Sequence, residues 1–176
     1  MLTFDADRSS DSPFVERVWR SHSAAAGTFV SIAESRAEFV IATYGGRVTA
    51  IVRGPETRAT RVPYPPDTQW LGIRFRPGAL LLPLPAASMV DGKATLSPAA
   101  SDSFRLDGAT WQVPTFDNAD TFVQRLVRAG LLDLDPAVSA ALEGELTASS
   151  PRTVQRRFLR ATGVTRSLAL RIERAR

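Results

Sequence analysis

The sequence has no cysteine, one histidine and one lysine. The missing cysteine removes a disulfide framework, a Cys-ligated zinc site and a thiol nucleophile at once. A lone His22 excludes, within one chain, a metal site built on two or three imidazoles, so no metal or other cofactor is expected. A Ser-His-Asp hydrolase would have to use His22, which reads as a surface loop residue, and an enzyme is not expected. Long apolar runs are missing too. The longest uncharged one, Pro77–Val90, has 14 residues and is interrupted at Pro83 and Pro85. A spanning helix needs ~20 apolar residues, so a membrane is not an expected partner. The opening MLTFDADRSSD is acidic early and lacks a basic stretch followed by an apolar one, unlike a secretory signal. The cytoplasm is the expected location.

What is present suits one globular domain, or one with a small appendage. The chain has 176 residues, 44% apolar and 23% charged. The charge is unevenly placed. Residues 1–150 carry 14 basic and 17 acidic side chains, a net −3, whereas residues 151–176 carry eight Arg and a single acid, Glu173, a net +7. A basic segment on a mildly acidic body points to nucleic acid or another anionic surface, or else to a solvated helical face.

Residues 1–13, polar and Ser-rich, read as a flexible lead. From residue 14 to 118 the texture is β-rich. TFVSI (28–32), EFVIAT (38–43), RVTAIVR (47–53) and WLGIRFR (70–76) are short and rich in β-branched or aromatic residues. Gly45-Gly46 reads as a hairpin turn. Residues 61–69, with three prolines, read as a loop. Residues 79–90 read as one or two helical turns, and 94–96 and 103–106 as weak strands. Many short strands with Gly/Pro turns suggest a barrel or sandwich. The period then changes. Residues 119–135 read as a helical connector, with Phe122, Val123, Leu126 and Val127 on one face and Gly130 as a stop. Pro136 opens a helix that should bury Val138, Leu142 and Leu146. Ser150-Pro151 open a third, with Ser150 as N-cap and Gly163 as terminator. A last helix covers about 166–176.

In the third helix Val154, Phe158 and Ala161 lie at i, i+4 and i+7 and should be buried. The opposite face presents Arg152, Gln155, Arg156 and Leu159. Two helices joined by a turn, the second with such a face, match the layout of a helix-turn-helix whose second helix enters the DNA major groove. Arg can pair with guanine O6 and N7, and Gln with adenine N6 and N7. Thr153, Arg157 and Arg160 flank that face within reach of phosphates.

Residues 150–176 resemble the first helix-turn-helix of the AraC/XylS-type transcriptional regulators. The residues on the family pattern are Ser150, Val154, Arg156, Phe158, Gly163, Arg171 and Ala175. Upstream, SPFVERVW (12–19), Gly54-Pro55 and GIRFRPG (72–78) resemble sensor domains found ahead of such regions. The resemblance implies an α+β protein: a cupin-like β-barrel sensor, then a helix-turn-helix segment over 136–176. The family carries a second such unit, which the sequence given does not include. The implied function is a transcriptional regulator whose N-terminal part binds an unknown small effector or forms a homodimer, with double-stranded DNA as partner. The other reading is a ligand-binding or dimerisation module whose incomplete DNA-binding region no longer binds DNA. Trp70, Arg74 and Arg76 are candidate effector contacts, against core packing for Trp70, an outward polar face for both arginines and a structural role at the turn for Arg76.

Overall fold

The computed structural model describes residues 1–144 and 150–175. In chain order these form β1 (Leu2–Ser9), β2 (Val15–Ser23), β3 (Gly27–Ser31), β4 (Glu38–Tyr44), β5 (Arg47–Arg53), β6 (Thr60–Tyr64), β7 (Thr68–Phe75) and β8 (Ala79–Leu81). There follow α1 (Ala86–Met89), β9 (Lys93–Thr95), β10 (Pro98–Ala100), β11 (Ser103–Leu106), β12 (Ala109–Gln112) and α2 (Ala119–Arg128). Last come β13 (Leu132–Leu134), α3 (Pro136–Glu143), α4 (Pro151–Thr162) and α5 (Arg166–Arg174). The fold is mixed α+β, with β structure first and helices at the end.

The main sheet is antiparallel, in the order β1-β2-β7-β4-β5-β9. Its central hairpin turns at Gly45-Gly46, where φ is 55° and 73°, the left-handed backbone a two-residue hairpin requires. Register sets which residues share a face. Val18 lies opposite Ile73, Ile73 opposite Phe39, and Phe39 opposite Val52, and all four are buried. This inner face is closed by α2 and by the small sheet β10-β11-β12. The Phe39 ring lies 5.4 Å from that of Phe104 and 5.2 Å from that of Phe122, and Phe122 is 6.2 Å from Trp111. Aromatic rings and α2 fill the space that the sheet encloses.

The opposite face carries the row Trp19, Gly72, Val40 and Ile51. Gly72 is required here, because a Cβ would fall 2.0 Å from the Trp19 indole. The indole crosses β7 and donates from Nε1 to Glu38 Oε1 at 2.6 Å. The ribbon β3-β6 lies over this face. Tyr64 meets Trp70 edge-on at 6.1 Å, and Arg53 on β5 donates to Ser31 Oγ on β3 at 2.9 Å.

The structure corrects the expectations from sequence at several points. Residues 1–13 are not a free lead, since β1 pairs with β2 from Leu2↔Ser23 to Ser9↔Arg17. It is an edge strand with little buried surface, so its sequence lacks a clear apolar alternation. Within the expected loop 61–69, residues 60–64 are β6, where Pro63 is tolerated because a two-stranded ribbon leaves one side of each strand unpaired. Residues 79–90 do carry a helical turn, Ala86–Met89, and only the strand β8 ahead of it, paired with β13, was not expected. Residues 119–135 are part of the β-rich body rather than a connector, because Ala119, Phe122, Val123 and Leu126 are buried in its core. His22 sits on β2, with Nδ1 2.7 Å from Asp5 of β1, and not in a loop.

Two predictions follow from this packing. Phe122→Ala should cost ~3–5 kcal/mol, measured by denaturant unfolding, because its ring touches three others in a closed core. Asp91, with φ 54°, accepts from Thr57 N and Oγ1, both at 2.7 Å. These bonds hold its carboxyl below the ordinary carboxylate value. Its contribution is therefore present at neutral pH and fades as pH falls through that lowered value. Asp91→Asn keeps a residue that tolerates this backbone. Its melting temperature should lie slightly below wild type at pH 7 and converge with it in acid.

Candidate nucleic-acid interface

Each C-terminal helix begins at a side-chain cap. Asp135 Oδ1 accepts from Ala137 N (3.1 Å) ahead of α3, Ser150 Oγ from Thr153 N (3.3 Å) ahead of α4, and Thr165 Oγ1 from Leu168 N (3.2 Å) ahead of α5. Pro136 and Pro151 take first helical positions, where a missing N–H costs nothing. Gly163 ends α4 with φ 73°. The three helices share a core of Val138, Ala141, Phe158, Ala161, Val164 and Ala169, joined by Leu80 and Val90 of the β-rich part. Leu142 and Val154 are half-buried against it, and Leu146 lies outside the described residues.

With Phe158 and Ala161 facing inward, α4 turns Arg152, Arg156, Leu159 and Arg160 to solvent, and Gln155 is half-buried beside them. Arg152, Arg156 and Arg160, spaced i, i+4, i+8, make no ion pair among the described residues, so three guanidinium groups share one side of a helix. Leu159, 40% exposed, lies among them.

The remaining two candidates are used by the fold. Arg157 makes a two-pronged pair with Asp135, Nε to Oδ2 at 2.8 Å and Nη2 to Oδ1 at 2.7 Å. The hydrogen bond to Asp135, then its charge, holds the guanidinium above its ordinary pKa. Asp135 thus caps α3 and ties α4 to it, and Arg157 is directed away from the exposed row. Thr153 closes the cap, its hydroxyl 3.0 Å from Ser150 Oγ. On α5, Arg166 Nε donates to Ala141 O at 3.0 Å, while Arg171 and Arg174 are exposed.

The candidate effector residues do not converge. Trp70 packs under Tyr64. Arg74 faces away from the aromatic core, yet it does not face solvent: Nη1 is 3.5 Å from Glu34 Oε2 and Nη2 3.5 Å from Glu38 Oε1. Arg76 holds the 10–14 segment, donating to Ser12 O and Ser10 O, each at 3.1 Å, and from its backbone to Phe14 O at 2.8 Å. That is the structural role at the turn. A cavity of about 30 Å³ between the β-rich part and the helices touches Arg36, Arg53, Arg76, Met89 and Thr162. It has room for roughly one water. An open cleft of about 620 Å³ lies between residues 8–14 and α2.

Among the described residues no cluster of His, Cys, Asp or Glu is arranged to hold a metal, and no helix is long and apolar enough to cross a membrane. Comparison with protein-family profiles, with curated proteins and with solved structures found no match.

Sequence reasoning missed Glu173, whose carboxylate accepts from Ser35 Oγ and from Arg36 Nη1. Its one signal was that it is the single acid among residues 151–176.

Phe158→Ala should cost ~3–5 kcal/mol in chemical denaturation, since the ring is fully buried. Gly163→Ala should also destabilise the helices. Its φ is 73°, and a Cβ would meet the Ala86 carbonyl oxygen at 2.5 Å. A melting temperature equal to wild type would mean that α4 does not seat against α1.

Proposed function

We propose that this protein is a sequence-specific, DNA-binding transcriptional regulator of the AraC type. In this reading α3 and α4 act as a helix-turn-helix, with α4 in the major groove. The observation that carries it is the exposed row Arg152, Arg156 and Arg160, without carboxylate partners among the described residues, on a helix anchored by buried Phe158. Guanidinium groups so placed can meet guanine edges or phosphates, and Gln155 beside them suits adenine. The motif likeness of residues 150–176 to that family supports the same reading. A cytoplasmic homodimer belongs to it, with the β-rich part as dimerising or effector-binding unit. The aromatic filling of the sheet's inner face favours dimerisation over an effector enclosed there, and leaves the open cleft beside α2 for a ligand.

A second reading is a ligand-binding or dimerisation module that does not bind DNA. The use of Arg157 by Asp135 favours it, since each lost phosphate contact weakens binding.

The deciding experiment is a salt titration of duplex DNA binding by fluorescence anisotropy, using a pool of random sequence and then a selected site. Binding should weaken steeply with salt. Arg156→Ala should lower affinity, flatten the slope of log K against log salt by about 1 if it meets a phosphate, and leave the melting temperature unchanged. Arg157→Ala should instead lower the melting temperature. Absence of salt-dependent binding by the wild-type chain would favour the second reading.

A further inference from the structure

Glu173 is the single acid in residues 151–176, and it reaches out of its own helix. Its carboxylate accepts from Ser35 Oγ and from Arg36 Nη1, the latter at 2.9 Å. Both partners lie in the segment between β3 and β4, where Ser35 is 4% exposed and the Arg36 side chain 12%. The C-terminal end of α5 is thereby fastened to the β-rich part by a charge-assisted contact.

Arg36 does not depend on Glu173 for its neutralisation. Its Nη1 lies 2.8 Å from Glu34 Oε1, and its Nε 2.9 Å from Glu16 Oε2. Burial by itself would lower the Arg36 pKa. The hydrogen bond to Glu34 and the charges of Glu34, Glu16 and Glu173 outweigh that and raise it. Breaking a buried ion pair is usually costly because one charge is left without a partner. Here Glu173, a quarter exposed already, can leave while Arg36 keeps two carboxylates, Glu16 and Glu34. The cavity touching Ser35, Arg36, Arg53 and Thr162 shows that packing beside this contact is incomplete.

We propose that Ser35, Arg36 and Glu173 form a releasable latch. Closed, it fixes the path of α5 across the β-rich part. Open, α5 detaches from Arg36 while the main sheet stays folded. The latch does not rest on the DNA-binding reading.

Hydrogen exchange followed by mass spectrometry on the full chain tests it. In Glu173→Gln, residues 166–174 should exchange about tenfold faster, while β4 and β7 exchange as in wild type. Gln has nearly the helix propensity of Glu, so α5 should still form. Ser35→Ala should give a smaller acceleration in the same segment. Raising salt should accelerate α5 in wild type and leave Glu173→Gln almost unaffected. Arg171→Gln, an exposed charge on the same helix, should change nothing. Unchanged α5 exchange in Glu173→Gln would overturn the latch. So would acceleration of α5, β4 and β7 together, which would make the contact part of one cooperative core.

Discussion

The seating of the helices depends on the backbone of α1, which lies between two glycines. At the end of β5, a Cβ on Gly54 would fall 1.9 Å from Met89 O, and at the end of α4 one on Gly163 would fall 2.5 Å from Ala86 O. A four-residue helix therefore touches the sheet on one side and the three-helix core on the other. Backbone groups from distant parts of the chain approach closely only because neither glycine carries a side chain. The surroundings reinforce this. Gly54 N donates to Gly92 O, Asp91 N to Pro55 O, and Val90 and Leu80 extend the helical core into the β-rich part. The position of α4 relative to the sheet is set here.

The two faces of the main sheet have different physics. The inner face is held by aromatic and aliphatic burial around Phe39, which depends little on solution conditions. The outer face holds interleaved charges under the β3-β6 ribbon: Arg36 with Glu16 and Glu34, Arg53 with Glu56, and Arg74 with Glu34 and Glu38. Such pairs are geometrically specific but gain little net stability, since desolvation offsets much of their attraction. Their value is orientation. They fix the chain crossing from β3 to β4, and that crossing presents Ser35 and Arg36 to α5.

The charge asymmetry of the chain takes on a spatial meaning in the same way. Of the basic side chains in residues 151–176, Arg157 is paired with Asp135 at the surface and Arg166 with the end of α3, whereas Arg152, Arg156 and Arg160 remain along one side of α4. The only acid of the segment is held against Arg36. Among the described residues, the exposed face of α4 is thus lined by guanidinium groups without carboxylate partners.

The sequence determined the local elements whose signals are local. The Gly45-Gly46 hairpin, the strands around it, the Ser150-Pro151 start and Gly163 end of α4, and the burial of Phe158 all follow from φ preference, capping and helical spacing. It also separated an acidic body from a basic end. The edge strand β1 escaped it, because a strand with little buried surface need not alternate. Proline in 61–69 concealed β6, because tolerance of Pro63 depends on the ribbon's free edge. Tertiary structure alone decided which arginines have carboxylate partners among the described residues. Arg152 and Arg157 are alike in composition, and only the nearness of Asp135 to one of them separates a surface cation from a structural tie. The same holds for Arg74, Arg76 and Glu173, whose partners lie at least 36 residues away in sequence. Ion pairing acts through space over a few ångströms, and no periodicity along the chain records it.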